Sequence, residues 1–275
     1  MPSDPLAPLV DLPGVREATG RVRDAVDAVH LLPANRRGWP ATAAEASMRA
    51  ARASAALDGA DPRLPTGEPV GSVTDPILAG AVRVAESVGL LLGTWQRAPL
   101  QALARLHVLA AADLVGDDSH PRPEADDWRG RPEAVDSLGR PEAVDSLGRP
   151  WADDEVSARL NMLARMVASR PALPGVVLAA VVHAELLALA PFRSANGVVA
   201  RAAARLTAVS TGLDSKGLAV PEVGHLRRRD EYRTALAGYA SGEPEGVAAW
   251  LLHCCEAWLI GAREARSIAE SLVTR

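Results

Sequence analysis

At 275 residues and 28.8 kDa, with 48% hydrophobic and 23% charged residues, the chain is long enough to bury one substantial core and too apolar to be disordered. Its net charge of −4 and pI near 5.9 supply no basic footprint for nucleic acid or for an anionic membrane. Aromatic residues make up only 3%, so the core has to be built from Ala, Val and Leu.

Apolar residues recur with a helical period, and no clean apolar–polar alternation runs longer than a few residues, so the expected fold class is all-α. The spacing predicts helices near 15–31, 41–57, 76–92, 96–115, 153–169, 174–189, 197–211, 229–240 and 245–272. Residues 1–40 read as an N-terminal extension with one helix, and residues 41–272 as a helical domain. Asp4, Asp11, Arg16 and Glu17 interrupt the first thirty residues among Pro and Gly, so no signal peptide is expected and a cytoplasmic location is.

Between the fourth and fifth of these helices lies a tandem nonapeptide. "RPEAVDSLG" occurs at 131–139 and again at 140–148, flanked by the looser "RPEADDWRG" at 122–130 and "RPWADDEVS" at 149–157. Each copy carries Arg, Pro and acids and too little apolar area to offset ordering, so 118–152 reads as a long solvated loop.

The stretch "ALPGVVLAAVVHAELLALAPF", 172–192, is about as long as a membrane span. His183 and Glu185 fall inside it and Pro174 and Pro191 close its ends, which suits the central helix of a soluble bundle. Cys254 and Cys255 are neighbours in a helical pattern, so they point about 100° apart and are expected to be buried small hydrophobes in a reducing compartment, with no zinc site assembled from them. His225 with Arg227, Arg228 and Arg229 offers a phosphate patch, but Asp230 and Glu231 follow, and a solvated helix start is the expectation.

The stretch that carries chemistry is "APFRSANGVVAR", 190–201. Pro191 stops the preceding helix, and Asn196 and Gly197 tolerate the open backbone of a tight turn. The next helix then aims its free N–H groups and positive dipole end into the loop, a generic anion site, with Arg201 one turn in and Arg205 a turn further along the same stripe. The loop residues Arg193, Ser194, Ala195, Asn196 and Gly197, with Arg201, are therefore the candidate phosphate- or nucleotide-binding set. No nucleophile elbow, P-loop, dinucleotide fingerprint or metal-ligand spacing is present, and no metal site is expected.

These residues resemble the signature of the Fic (Fido-domain) family, which runs His-Pro-Phe, any residue, an acid, Gly-Asn-Gly-Arg, two spacers, Arg. Pro191, Phe192, Asn196, Gly197 and Arg201 match in register, and His183, seven residues before Ala190, falls where many members carry a histidine. Upstream, Ser54, Asp58 and Gly59 resemble the family's inhibitory Ser, three residues, Glu-Gly, with Asp in place of Glu, making 41–60 an inhibitory-type helix. Downstream, 227–258 is similar to its closing helices. The resemblance covers roughly residues 40–262 and implies a Fic-like helical bundle. Its members move AMP from ATP to a protein hydroxyl, with the signature histidine as general base, the acid holding Mg²⁺ and two arginines on the phosphates.

Here Ala190 stands where the resemblance puts the base, Ser194 the acid, Ala195 a glycine and Val198 the first arginine. Loss of a general base costs about two to four orders of magnitude in rate. The resemblance therefore implies a degenerate member that binds a nucleotide or phosphate, or a partner protein, with little or no AMP transfer. ATP or ADP is the candidate ligand, no cofactor is certain, Mg²⁺ is not expected, and a homodimer is compatible with the family. Two alternatives stand beside it. One is an active nucleotidyl or phosphoryl transferase of altered chemistry using His183 or Ser194. The other is a non-catalytic structural or oligomerisation domain.

Overall fold

Proline opens helix after helix in this chain: Pro33, Pro76, Pro99, Pro221 and Pro244 each stand at a helix start, where the absent N–H is not missed and the fixed φ suits the first turn. The structure is a computed structural model and describes residues 6–61, 73–114 and 154–273. The repeat-containing stretch 118–152 lies outside them.

A short 3₁₀ turn, Ala7–Asp11, leads into α1 (Val15–His30), α2 (Pro33–Arg37), α3 (Trp39–Leu57), α4 (Pro76–Arg97) and α5 (Pro99–Ala111). Then come α6 (Asp154–Ser169), α7 (Gly175–Leu189), α8 (Asn196–Ser210), α9 (Pro221–Arg227), α10 (Arg229–Ala240) and α11 (Pro244–Val273). No strand occurs among the described residues, and the fold class is all-α. The N-terminal forty residues hold more than one helix, since the 3₁₀ turn, α2 and the first residues of α3 fall there beside α1.

The core is assembled around α7, which is apolar on every side and buries Val176 through Ala184 together with Leu186, Leu187 and Leu189. α8 lies along α7, with α4 and α5 against α8, and α11 closes the opposite side against α1, α9 and α10. α7 is 15 residues long, short of the roughly 20 needed to span a bilayer. The 22-residue α4 is long and apolar enough by length and composition, and it packs on α3, α5 and α8. With so few aromatics the interior relies on alanine and valine, and Trp95 and Trp250 supply its largest fully buried side chains. Trp250 Nε1 donates to the Ala180 carbonyl at 2.9 Å and so ties α11 to α7.

Two glycines set the spacing that positions the inner residues. A Cβ on Gly224 of α9 would sit 2.5 Å from the Ala257 Cα, and one on Gly261 of α11 would sit 2.6 Å from the Pro221 nitrogen. Those contacts are far inside van der Waals range, so α9 and α11 lie backbone to backbone. His225 on α9 is thereby carried into the interior beside His253 and Cys254.

Candidate functional site

The loop between α7 and α8 is built from two left-handed residues. Ala190 caps α7 with φ 42° and ψ 59°, and Ala195 precedes α8 with φ 57° and ψ 17°, each in a region that costs an L-residue about 1 kcal/mol or more. Asn196, the first residue of α8, secures the turn, its Oδ1 accepting from the Phe192 N–H at 2.9 Å and its Nδ2 donating to the Phe192 carbonyl at 2.5 Å. Phe192 is buried and stacks on His107 with centroids 4.2 Å apart and planes 6° from parallel. The loop is therefore clamped to α5 from below while Arg193, Ser194, Ala195 and Gly197 stay partly exposed above.

Facing this loop is the end of α3. Asp58 is its C-cap and Gly59, at φ 97°, lets the chain close the paired end bonds, Gly59 N–H to Ala56 and Ala60 N–H to Ala55. The turn thus presents Asp58 toward α8. A Cβ on Gly197 would lie 2.3 Å and 2.5 Å from the two Asp58 carboxylate oxygens, so the carboxylate rests against the backbone of the first turn of α8. It occupies the place where free N–H groups and the positive dipole end favour an anion.

Arg201, 3% exposed, completes the contact. Its Nη2 is 2.8 Å from Asp58 Oδ1 and donates to the Ser54 carbonyl at 2.9 Å, and its Nε donates to Ser54 Oγ at 2.7 Å. Burial works against its charge, but Asp58 and Tyr232 outweigh burial and hold its pKa above the ordinary value. Asp58 keeps 25% of its side chain exposed, so the pair opens to solvent on the carboxylate side alone. Ser54, Asp58, Gly197 and Arg201 thus meet at one place, while the Asn196 amide is spent on Phe192. Arg205, one turn further, turns away from it, donating to the Ala219 carbonyl at 2.8 Å and facing Glu222 at 3.9 Å.

His183 lies in the core two turns before Ala190, its Nε2 2.9 Å from the Tyr232 hydroxyl. Burial, with Arg201 and His253 adding to it, holds its pKa well below the usual imidazole range. It keeps a neutral ring in the interior, out of solvent. Glu185, on another face of α7, accepts from Tyr239 and Arg159, each at 2.8 Å.

One sequence reading needs correction. His225 is neither part of a basic surface patch nor a solvated helix start: it is buried, with Nδ1 3.0 Å from His253 Nε2, because α9 packs against α11 without intervening side chains. Cys254 and Cys255 are both buried thiols. One ligand atom from each of His183, His225 and Cys254 lies within 4.8 Å of the others. The three come from α7, α9 and α11, spacings of 42 and 29 residues that no local motif contains.

The fold has a counterpart among solved structures. Fic-1 (amino acids 134–508) from C. elegans superposes with a TM-score of 0.60 over 94% of this chain and 74% of that one, at 15% sequence identity. The chain accordingly has a Fic-type helical fold. No protein-family model matches the sequence, and no curated protein does.

Proposed function

We propose that this Fic-fold chain binds a nucleotide or another phosphate at the head of α8, with Asp58 as a built-in competitor for the same place, and that it carries out little or no AMP transfer. The observation that carries the reading is the seat of the Asp58 carboxylate: an anion already rests on Gly197 with Arg201 as its counter-ion. A phosphate presents the same sign of charge and more oxygens, and guanidinium is well suited to bind it. A ligand that displaces the carboxylate recovers the Arg201 contact and the α8 dipole together.

The chemistry around that mouth supports binding over transfer. Ala190 offers no proton acceptor, Ser194 no carboxylate for a metal and Val198 no second guanidinium. His183 is held neutral in the core and hydrogen-bonded to Tyr232, out of solvent. The test is thermal denaturation with millimolar ADP or ATP, set beside incubation with labelled ATP. The reading expects a raised midpoint that Arg201→Ala abolishes, and no label on the chain or on added proteins. Transfer of label by the wild-type chain would overturn it.

A further inference from the structure

We propose that His183, His225 and Cys254 form an internal three-coordinate site for a soft, thiophilic metal ion, and that its charge balance selects monovalent copper over zinc. The three side chains are all buried, and one ligand atom from each falls within 4.8 Å of the other two. A thiolate is a soft donor that Cu⁺ and Zn²⁺ both accept, and imidazole suits copper and zinc alike.

The site has the supporting contacts a metal centre needs. Each histidine uses one ring nitrogen in an outer hydrogen bond, His183 Nε2 with the Tyr232 hydroxyl at 2.9 Å and His225 Nδ1 with His253 Nε2 at 3.0 Å. The remaining nitrogens are Nδ1 of His183 and Nε2 of His225, and fixing one ring nitrogen is how metal-binding histidines are held in tautomer and orientation. The three helices cannot drift apart freely. α9 is seated on α11 through Gly224 and Gly261, and α11 is tied to α7 by the Trp250 hydrogen bond. His183, His225 and Cys254 also line one cavity of about 20 Å³, room for a single water-sized particle.

Charge decides which ion. Arg201 and Arg205 line the same cavity, each already matched to one carboxylate, Asp58 and Glu222. On binding, the Cys254 S–H proton leaves to solvent and a sulfur–metal bond takes its place. Cu⁺ with one thiolate is then neutral, whereas Zn²⁺ with one thiolate leaves a net positive charge beside two buried guanidiniums, which a low-dielectric interior penalises. Burial, with Cys255 adding to it, raises the Cys254 thiol well above its usual range, so without a metal the sulfur keeps its proton.

The full chain, stripped with chelator under reducing, oxygen-free conditions, is titrated with Cu⁺ against bicinchoninate, and separately with Zn²⁺. The expected result is one equivalent of Cu⁺ withheld from bicinchoninate with a raised melting midpoint, lost in Cys254→Ser and retained in the adjacent buried control Cys255→Ser. X-ray absorption of the copper-loaded wild-type chain should show one sulfur and two nitrogen neighbours, a readout that does not depend on either variant folding. No Cu⁺ withheld, two sulfur neighbours, equal loss in both cysteine variants, or tighter retention of Zn²⁺ than of Cu⁺ would each overturn the proposal.

Discussion

The carboxylate of Asp58 and the α-carbon of Gly197 lie so close that the space a methyl group would need on residue 197 is filled by the two carboxylate oxygens. This contact sets a carboxylate from the end of α3 on the positive end of α8, where the α8 dipole favours it and the α3 dipole opposes it. Arg201 then anchors the carboxylate from within the core. Gly197 has to be small here because an acid from elsewhere in the chain leans on the backbone at that point.

Gly197→Ala should therefore expel Asp58 from its seat. Parting the carboxylate from a buried arginine leaves that charge poorly compensated, so a loss of roughly 2–4 kcal/mol is expected, between overpacking and the breaking of a buried pair. Urea denaturation of the variant, with circular dichroism to confirm the helical fold, measures it. A loss below about 0.5 kcal/mol would show that the approach is not tight.

The two left-handed alanines make the opposite prediction. Ala190→Gly and Ala195→Gly should each stabilise the chain by about 0.5–1 kcal/mol, because glycine enters that backbone region without penalty and the relief exceeds its extra unfolded-state entropy. Thermal and urea midpoints should both rise. Equal destabilisation at both sites would mean that the turn does not hold these dihedral angles.

Much of this was legible in the sequence, and the limits have physical causes. Nine helices among the described residues show their period in the sequence, and the loop before α8 with Arg201 carries local turn signals, whereas Ser54 and Asp58 stand out only through the resemblance to the Fic inhibitory helix. α2 and α9 were not found, since five and seven residues are too few to show a 3.6-residue period. His225 stands among arginines in the sequence and so looks like a surface residue, whereas the backbone contact of Gly224 with Ala257 draws it inside. The stacking of His107 on Phe192 and the meeting of His183, His225 and Cys254 are contacts between distant segments, and no one-dimensional pattern encodes them.

His107 gives a pH-dependent prediction. It is buried against Phe192, neither ring nitrogen has a hydrogen-bond partner, and burial lowers its pKa from the ordinary 6.5. A histidine with a depressed folded pKa is protonated first in the unfolded chain, so its contribution to stability is complete above pH 6.5 and falls as the pH drops below that value. Each such proton contributes at most about 1.4 kcal/mol per pH unit. Comparing wild-type chain with His107→Phe, which keeps the stack and removes the titration, should show a shallower acid limb in the variant between pH 6.5 and 5. Identical limbs would exclude His107 as a source of the slope.

The competition between Asp58 and a bound phosphate is measured most directly by calorimetric titration of ADP into the wild-type chain and into Asp58→Gly. With the carboxylate gone, Arg201 and the head of α8 are left for the ligand, so the variant should bind ADP at least tenfold more tightly, and adding Arg201→Ala should abolish the binding. Equal affinity in the two chains, or no detectable binding in either, would contradict the account.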